Sequence, residues 1–114
     1  MSASAFSLSA LVPVDGFCVV RGEPVVGGLK GPDLDHFFCP ECMTWIFTRI
    51  AGLPGVVNVR STMFDDAALS DPFLETMTAE KLPWVTTSAP RSYEGFPPAE
   101  DFAQLLEQFA AAQA

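Results

Sequence analysis

The chain has 114 residues, 49% hydrophobic and 18% charged, which suits one domain with a packed core and excludes a disordered chain. A formal net charge of −8 and a pI near 4.3 leave no basic face, so a nucleic-acid partner is excluded and an anionic membrane surface is disfavoured. Ten Phe, ten Pro and eight Gly favour short strands joined by turns over a helical bundle.

Taken in chain order, Ala5 to Val12 alternate apolar and small polar residues, the period of a half-buried strand. Pro13 to Gly16 make a turn, and Phe17 to Arg21 predict a second strand closed by Gly22 and Pro24. Gly27 to Asp33 read as loop. Asp35 to Phe38 and Trp45 to Arg49 predict the two arms of a hairpin, with Cys39-Pro40-Glu41-Cys42 at its tip. Pro54-Gly55 turn the chain into a strand over Val56 to Ser61, with Val57 and Val59 on one face. Residues 63–72 predict an acidic loop with a short helical turn, and Trp84 to Thr87 a short extended piece. Pro97-Pro98 precede a helix whose first turn carries Glu100 and Asp101, suited to the positive end of its dipole. Phe102, Leu105, Leu106 and Phe109 fall at i, i+3, i+4 and i+7 along it, and Ala110 to Ala114 are expected to fray. No repeat or linker interrupts the chain, so residues 1–114 are expected to form a single domain.

Met1 to Ser4 lack the basic start of a signal peptide, and no apolar run reaches the length of a membrane span. Three cysteines do not make a secreted disulfide framework. A reducing cytoplasm is the expected compartment, where a Cys-x-x-Cys pair is more often metal-binding or redox-active than a structural disulfide.

Cys39 and Cys42 are the candidate metal ligands. Two thiolates at a hairpin tip suit tetrahedral zinc, and a structural zinc site takes four ligands. A thioredoxin-like redox pair opens a helix, whereas Thr44 to Thr48 are β-branched and aromatic. His36 lies at odd spacing from Cys39, so the two side chains point to opposite faces of an extended strand. A ligand role for His36 requires a bulge, and a surface or satisfied core histidine is the expectation. Cys18 reads as a small buried hydrophobe. Asp65, Asp66 and Asp71 lack the turn glycine and distal Glu of a calcium loop and read as solvated. Trp45, Trp84 and Tyr93 are expected in the core rather than around a ligand groove. Zinc catalysis needs an open position on a held ion, and no three convergent ligands can be assembled. No Ser-His-Asp set, phosphate loop or acid–base pair is present either. Catalysis by this chain alone is therefore not expected.

The segments Phe38-Cys39-Pro40-Glu41-Cys42, Pro54-Gly55-Val56-Val57-Asn58-Val59, Ser61-Thr62-Met63-Phe64-Asp65-Asp66, Lys81-Leu82-Pro83-Trp84-Val85 and Tyr93-Glu94-Gly95-Phe96-Pro97 occur in the order that resembles the glutathione-dependent formaldehyde-activating enzyme family, to which centromere protein V also belongs. The resemblance runs from about Ser2 to Pro98. It implies a mainly β fold, a β-tent of the Mss-four type with small antiparallel sheets, here followed by one C-terminal helix. It also implies a structural zinc held by an N-terminal Cys-x-Cys and the later Cys-x-x-Cys, and a catalytic zinc held by a Cys-His-Cys-x-x-Cys segment between them. The implied activity is carbon–sulfur lyase chemistry on S-hydroxymethylglutathione.

Departures from the family pattern bear on that expectation. Ser2-Ala3-Ser4-Ala5-Phe6 resembles the Thr-Gly-Ser-Ala-Phe that follows the catalytic cysteines, so Met1 is expected to fall inside the domain, with roughly the first third absent. Cys39 and Cys42 match the second half of the structural site; its first half has no counterpart, and neither do the family's catalytic-zinc cysteines. The family's glycine after the knuckle is Met43, and Glu75 stands near its usual downstream His. The reading that follows is a zinc-dependent carbon–sulfur lyase acting on a glutathione or other thiol adduct. The alternative is a non-catalytic zinc-binding or scaffold module, as a homodimer sharing one zinc through Cys39 and Cys42. A third reading leaves the pair metal-free.

Overall fold

The computed structural model describes residues 2–66 and 70–113, which divide into two compact units, Met1–Ser70 and Asp71–Ala114. In the first unit β1 (Ser9–Pro13), β2 (Val25–Gly27), β3 (Leu34–Phe38), β4 (Trp45–Ile50) and β5 (Val56–Arg60) form an antiparallel sheet in the order β1-β5-β4-β3-β2. The protein is mainly β with one C-terminal helix, as its Phe-, Pro- and Gly-rich composition predicts.

Period-two alternation gives the sheet two different faces. On one, Phe47, Val57 and Val59 form the buried core, with Val12, Phe17, Phe37 and Phe64 packed around it. The Phe37 and Phe47 side chains, opposed in the β3–β4 register, stack at 4.7 Å. The other face carries His36 and Thr48, likewise opposed, and both buried. A register shift between Phe37 and Phe38 pairs Phe37 with Phe47 but Phe38 with Trp45, which leaves Ile46 as the extra residue of a β-bulge. The bulge turns Trp45 onto the face of Thr48.

Three sequence expectations fail in this unit. No strand forms over Phe17 to Arg21; Cys18 is exposed rather than buried and Val20 is 92% exposed. The open edge of β3 is instead taken by Val25–Gly27, and a strand needs a backbone partner more than it needs apolar residues. Gly27 is therefore strand rather than loop. A Cβ there would lie 3.1 Å from the Phe38 ring, so glycine permits the close approach of β2 to that side chain. Of the expected acidic loop with a helical turn, a 3-10 turn forms at Ser61–Met63, Asp65, Asp66 and Asp71 are exposed, and residues 67–69 lie outside the described residues, as does Ala114 at the helix end.

The second unit holds β6 (Leu74–Glu75) and β7 (Arg91–Ser92), which pair in parallel, not antiparallel as the resemblance implies. A crossover connection of 15 residues, Thr76 to Pro90, makes the parallel pairing feasible. Trp84, expected in the core, is 73% exposed and lies outside any strand. A 3-10 turn at Ala99–Asp101 leads into α1 (Phe102–Gln113). The apolar stripe of α1 is narrower than its spacing predicts: Leu105 is buried while Leu106 is 61% exposed. Phe109 meets Phe73 edge-on at 5.5 Å, Gln108 accepts from Arg91 Nε at 3.0 Å, and Asp101 accepts from the Tyr93 hydroxyl at 3.0 Å.

Glu75 ties this unit together. Its carboxylate accepts from Thr87, from Ser92 at 2.8 Å and from Lys81 at 3.1 Å. The Thr87 hydroxyl first, then Ser92 and Lys81, hold its carboxyl down at about 2. For an acid whose folded pKa is depressed, the linked stability is present above its ordinary value of 4.5 and is lost as pH falls towards 2. Acid titration followed by NMR is expected to show Glu75 titrating well below its ordinary value of 4.5, and Glu75→Gln is expected to remove the linked acid sensitivity of the second unit. A midpoint near the ordinary glutamate value would refute this.

Candidate functional site

The hairpin β3–β4 is closed by a tight turn over residues 39–44. The Cys39 amide donates to the Thr44 carbonyl and the Met43 amide to the Cys39 carbonyl, both at 2.9 Å. These bonds curl the chain so that both thiols sit on one turn, Cys39 half-buried and Cys42 exposed. Cys42 Sγ lies 3.1 Å from Thr44 Oγ1. The Thr44 hydroxyl and then its backbone amide, with a smaller contribution from the Cys39 thiol, push the Cys42 thiol below its ordinary value. A thiolate is the form that binds metal.

Met43 closes the turn with φ +59°, the left-handed region that an L residue enters at a cost and glycine enters freely. The glycine that the resemblance implies at this position would have a backbone reason. Met43→Gly is expected to leave the turn intact and raise stability by about 0.5–1 kcal/mol, as read by urea denaturation; a lowered midpoint would show that the 58% exposed Met43 side chain contributes packing that outweighs the strain.

Beside the turn, the second face of the sheet carries a continuous polar chain. Trp45 Nε1 donates to Thr48 Oγ1 at 2.9 Å, and His36 Nδ1 lies 2.7 Å from the same oxygen. An indole can only donate, so the Thr48 proton is available to His36. Trp45 meets His36 edge-on at 5.3 Å, and Arg60 lies over the Trp45 ring at 4.3 Å. Arg60 also donates to Ser9 Oγ at 3.3 Å, its neighbour in the β1–β5 register. Four strands thus contribute one residue or more each to the chain.

His36 is accordingly a satisfied core histidine. The bulge that a ligand role requires does occur, but its extra residue is in β4, so the face of β3 on which His36 lies is unchanged. Among the described residues no group of three or more His, Cys, Asp or Glu could hold a metal ion. The structure brings Cys39 and Cys42 together and leaves Cys18 and His36 out of the pair.

A model of the glutathione-dependent formaldehyde-activating enzyme family matches residues 1–80. The chain belongs to this family. Comparison with curated proteins and with solved structures gave no significant match. The matched region holds the whole five-stranded sheet and the dithiol turn. As a member of the glutathione-dependent formaldehyde-activating enzyme family, the chain carries the family's general association with zinc, glutathione and lyase chemistry. Among the described residues no helix is long and apolar enough to cross a membrane.

Sequence reasoning missed Thr44, Thr48 and Arg60. Thr44 was detectable, since a hydroxyl two residues beyond a Cys-x-x-Cys can reach its second sulfur. Thr48 and Arg60 acquire their roles through the β4 bulge and the β1–β5 register, neither of which is written in local spacing.

Proposed function

We propose that the protein serves zinc-dependent carbon–sulfur lyase chemistry on a glutathione or other thiol adduct such as S-hydroxymethylglutathione, with Cys39 and Cys42 as half of a structural zinc site. The observation that carries this reading is the preformed dithiol turn, with a depressed Cys42 thiol, in a chain of this family. Two sulfur donors on one turn fit zinc in kind; a structural site needs two more. Bound there, zinc would cross-link the tip of the β3–β4 hairpin. In this reading the five-stranded sheet is a wall of the β-tent, and a reducing cytoplasm keeps both thiols free for metal.

A second reading is favoured by one observation: Cys42 is exposed, and no third donor stands beside it among the described residues. Two copies would then complete one tetrahedral site from Cys39 and Cys42 of each, as a non-catalytic module whose dimer the metal stabilises by mass action.

Elemental analysis and solution mass separate the two. Half a zinc per chain in a dimer supports the shared site, and zero or one counts against it. Turnover is tested by NMR exchange spectroscopy of glutathione with formaldehyde. Interconversion faster than in buffer, lost together with zinc in Cys42→Ser, supports the lyase reading and overturns the expectation that this chain alone does not catalyse. A rate equal to buffer upholds that expectation and would overturn the lyase reading for this chain.

A further inference from the structure

A cavity of about 280 Å³ opens beside the dithiol turn, lined by Met43, Thr44, Trp45, Arg60, Thr62 and Met63 among others. Arg60 is its charged group. The guanidinium is half-buried, and its face is covered by Trp45 at 4.3 Å. One nitrogen is engaged by Ser9 Oγ at 3.3 Å. Stacking occupies the face of the group and leaves the edge, where its five N–H donors lie in a fork matched to a carboxylate.

Among the described residues no ion pair to Arg60 forms; the salt bridge that does form joins Lys81 to Glu75 in the second unit, and burial alone pushes the Arg60 guanidinium down. The chain holds 14 acidic residues against six basic ones, yet among the described residues this half-buried cation makes no ion pair. Burying a charge without one carries a desolvation cost that an opposite charge offsets. The 220 Å³ cavity lined by Asp33, Asp35 and Arg49 presents carboxylates that would repel an anion. The cavity at Arg60 instead adds the Thr62 hydroxyl as a neutral donor, and the thioether chains of Met43 and Met63 as apolar walls.

We infer that the Arg60 cavity is a carboxylate-binding subsite that takes one carboxylate-bearing arm of a thiol adduct and holds the adduct next to the Cys39–Cys42 turn. The assignment of the ligand as a thiol adduct rests on the lyase reading above; the carboxylate preference rests on Arg60 itself. Ligand pockets of whole drug-sized molecules start at roughly 300 Å³, so a cavity of about 280 Å³ accommodates an arm and its carboxylate, with the remainder of the adduct outside. Arg60 is a binding residue in this proposal, and no chemical step is assigned to it.

The test is an NMR titration of the full chain with S-methylglutathione and with its diethyl ester, following the Trp45 indole N–H and the Arg60 side-chain N–H. The wild type is expected to bind the acid about tenfold or more tightly than the neutral ester, the ratio typical of a charge-assisted bidentate pair. Arg60→Gln is expected to lose that factor and to bind acid and ester alike. Arg60→Lys, which keeps the charge without the fork, is expected to fall between them. If Arg60→Gln fails to fold, the acid-to-ester ratio of the wild type decides. Equal binding of acid and ester to the wild type, no binding of either, or an Arg60→Gln variant that still prefers the acid would each overturn the subsite. Discrimination without turnover of S-hydroxymethylglutathione would leave the subsite standing and remove the lyase reading; turnover without discrimination would do the reverse.

Discussion

Phe47→Ala is expected to lower the unfolding free energy of the first unit by about 3–5 kcal/mol, the range for truncating a buried aromatic side chain. Phe47 is 3% exposed and sits between three groups. It stacks on Phe37 at 4.7 Å, meets Phe17 at 4.9 Å, and lies under the Arg49 guanidinium at 5.5 Å. Val59, its β5 partner in register, is also in the core. Alanine would remove the ring that all of these contact, and a backbone held by neighbours on both sides cannot collapse to fill the space. Domains of this size sit only about 5–15 kcal/mol above unfolding, so the variant should lose a large part of its stability. Urea denaturation measures it. A change under about 1 kcal/mol would mean that the core is not centred on Phe47. Phe47→Leu should lose less, since it retains most of the apolar volume.

Thr48→Val is expected to destabilise by about 2–3 kcal/mol despite being nearly isosteric. The hydroxyl is the hub between His36 Nδ1 and Trp45 Nε1. Removing it leaves polar groups without their partner, and each buried one costs about 1–3 kcal/mol. Trp45 is only half-buried and can recover part of its bond from water, so His36 carries most of the loss. Thr48→Ser keeps the hydroxyl and should cost less than about 1 kcal/mol. Equal effects of Val and Ser would show that Thr48 matters for shape alone. Burial holds the His36 imidazole below its ordinary value of 6.5, so the folded state favours the neutral ring. The unfolded chain then binds the proton more tightly. The linked stability is present above pH 6.5 and declines as pH falls through that value towards the folded pKa.

Both variants probe one β-hairpin from its two faces, and they show how unevenly its features were legible. The strands β3, β4 and β5 follow from alternation and bounding turns, and Val57 and Val59 fall on the core face as their spacing predicts. The Cys39–Cys42 turn is written in four consecutive residues. The segment from Phe17 to Arg21 is equally apolar yet forms no strand, because a strand is completed by a hydrogen-bonding neighbour and Val25–Gly27 holds the open edge of β3. Trp84 and Leu106 are exposed where composition and spacing put them inside, since burial depends on what faces a residue rather than on its own hydrophobicity.

By itself the sequence determined the features that depend on near neighbours: the mainly β character, the C-terminal helix, the dithiol turn and the resemblance that the family match bears out. Tertiary structure alone decided the features that depend on register. The extra residue in β4 rotates Trp45 onto the face of Thr48 and His36. The β1–β5 pairing sets Arg60 beside Ser9, stacked on that same indole and, among the described residues, without an ion pair. A one-residue shift in pairing exchanges the two faces of a strand, and that shift is set by contacts between distant segments, so the polar face beside the thiols could not be read from the chain one segment at a time.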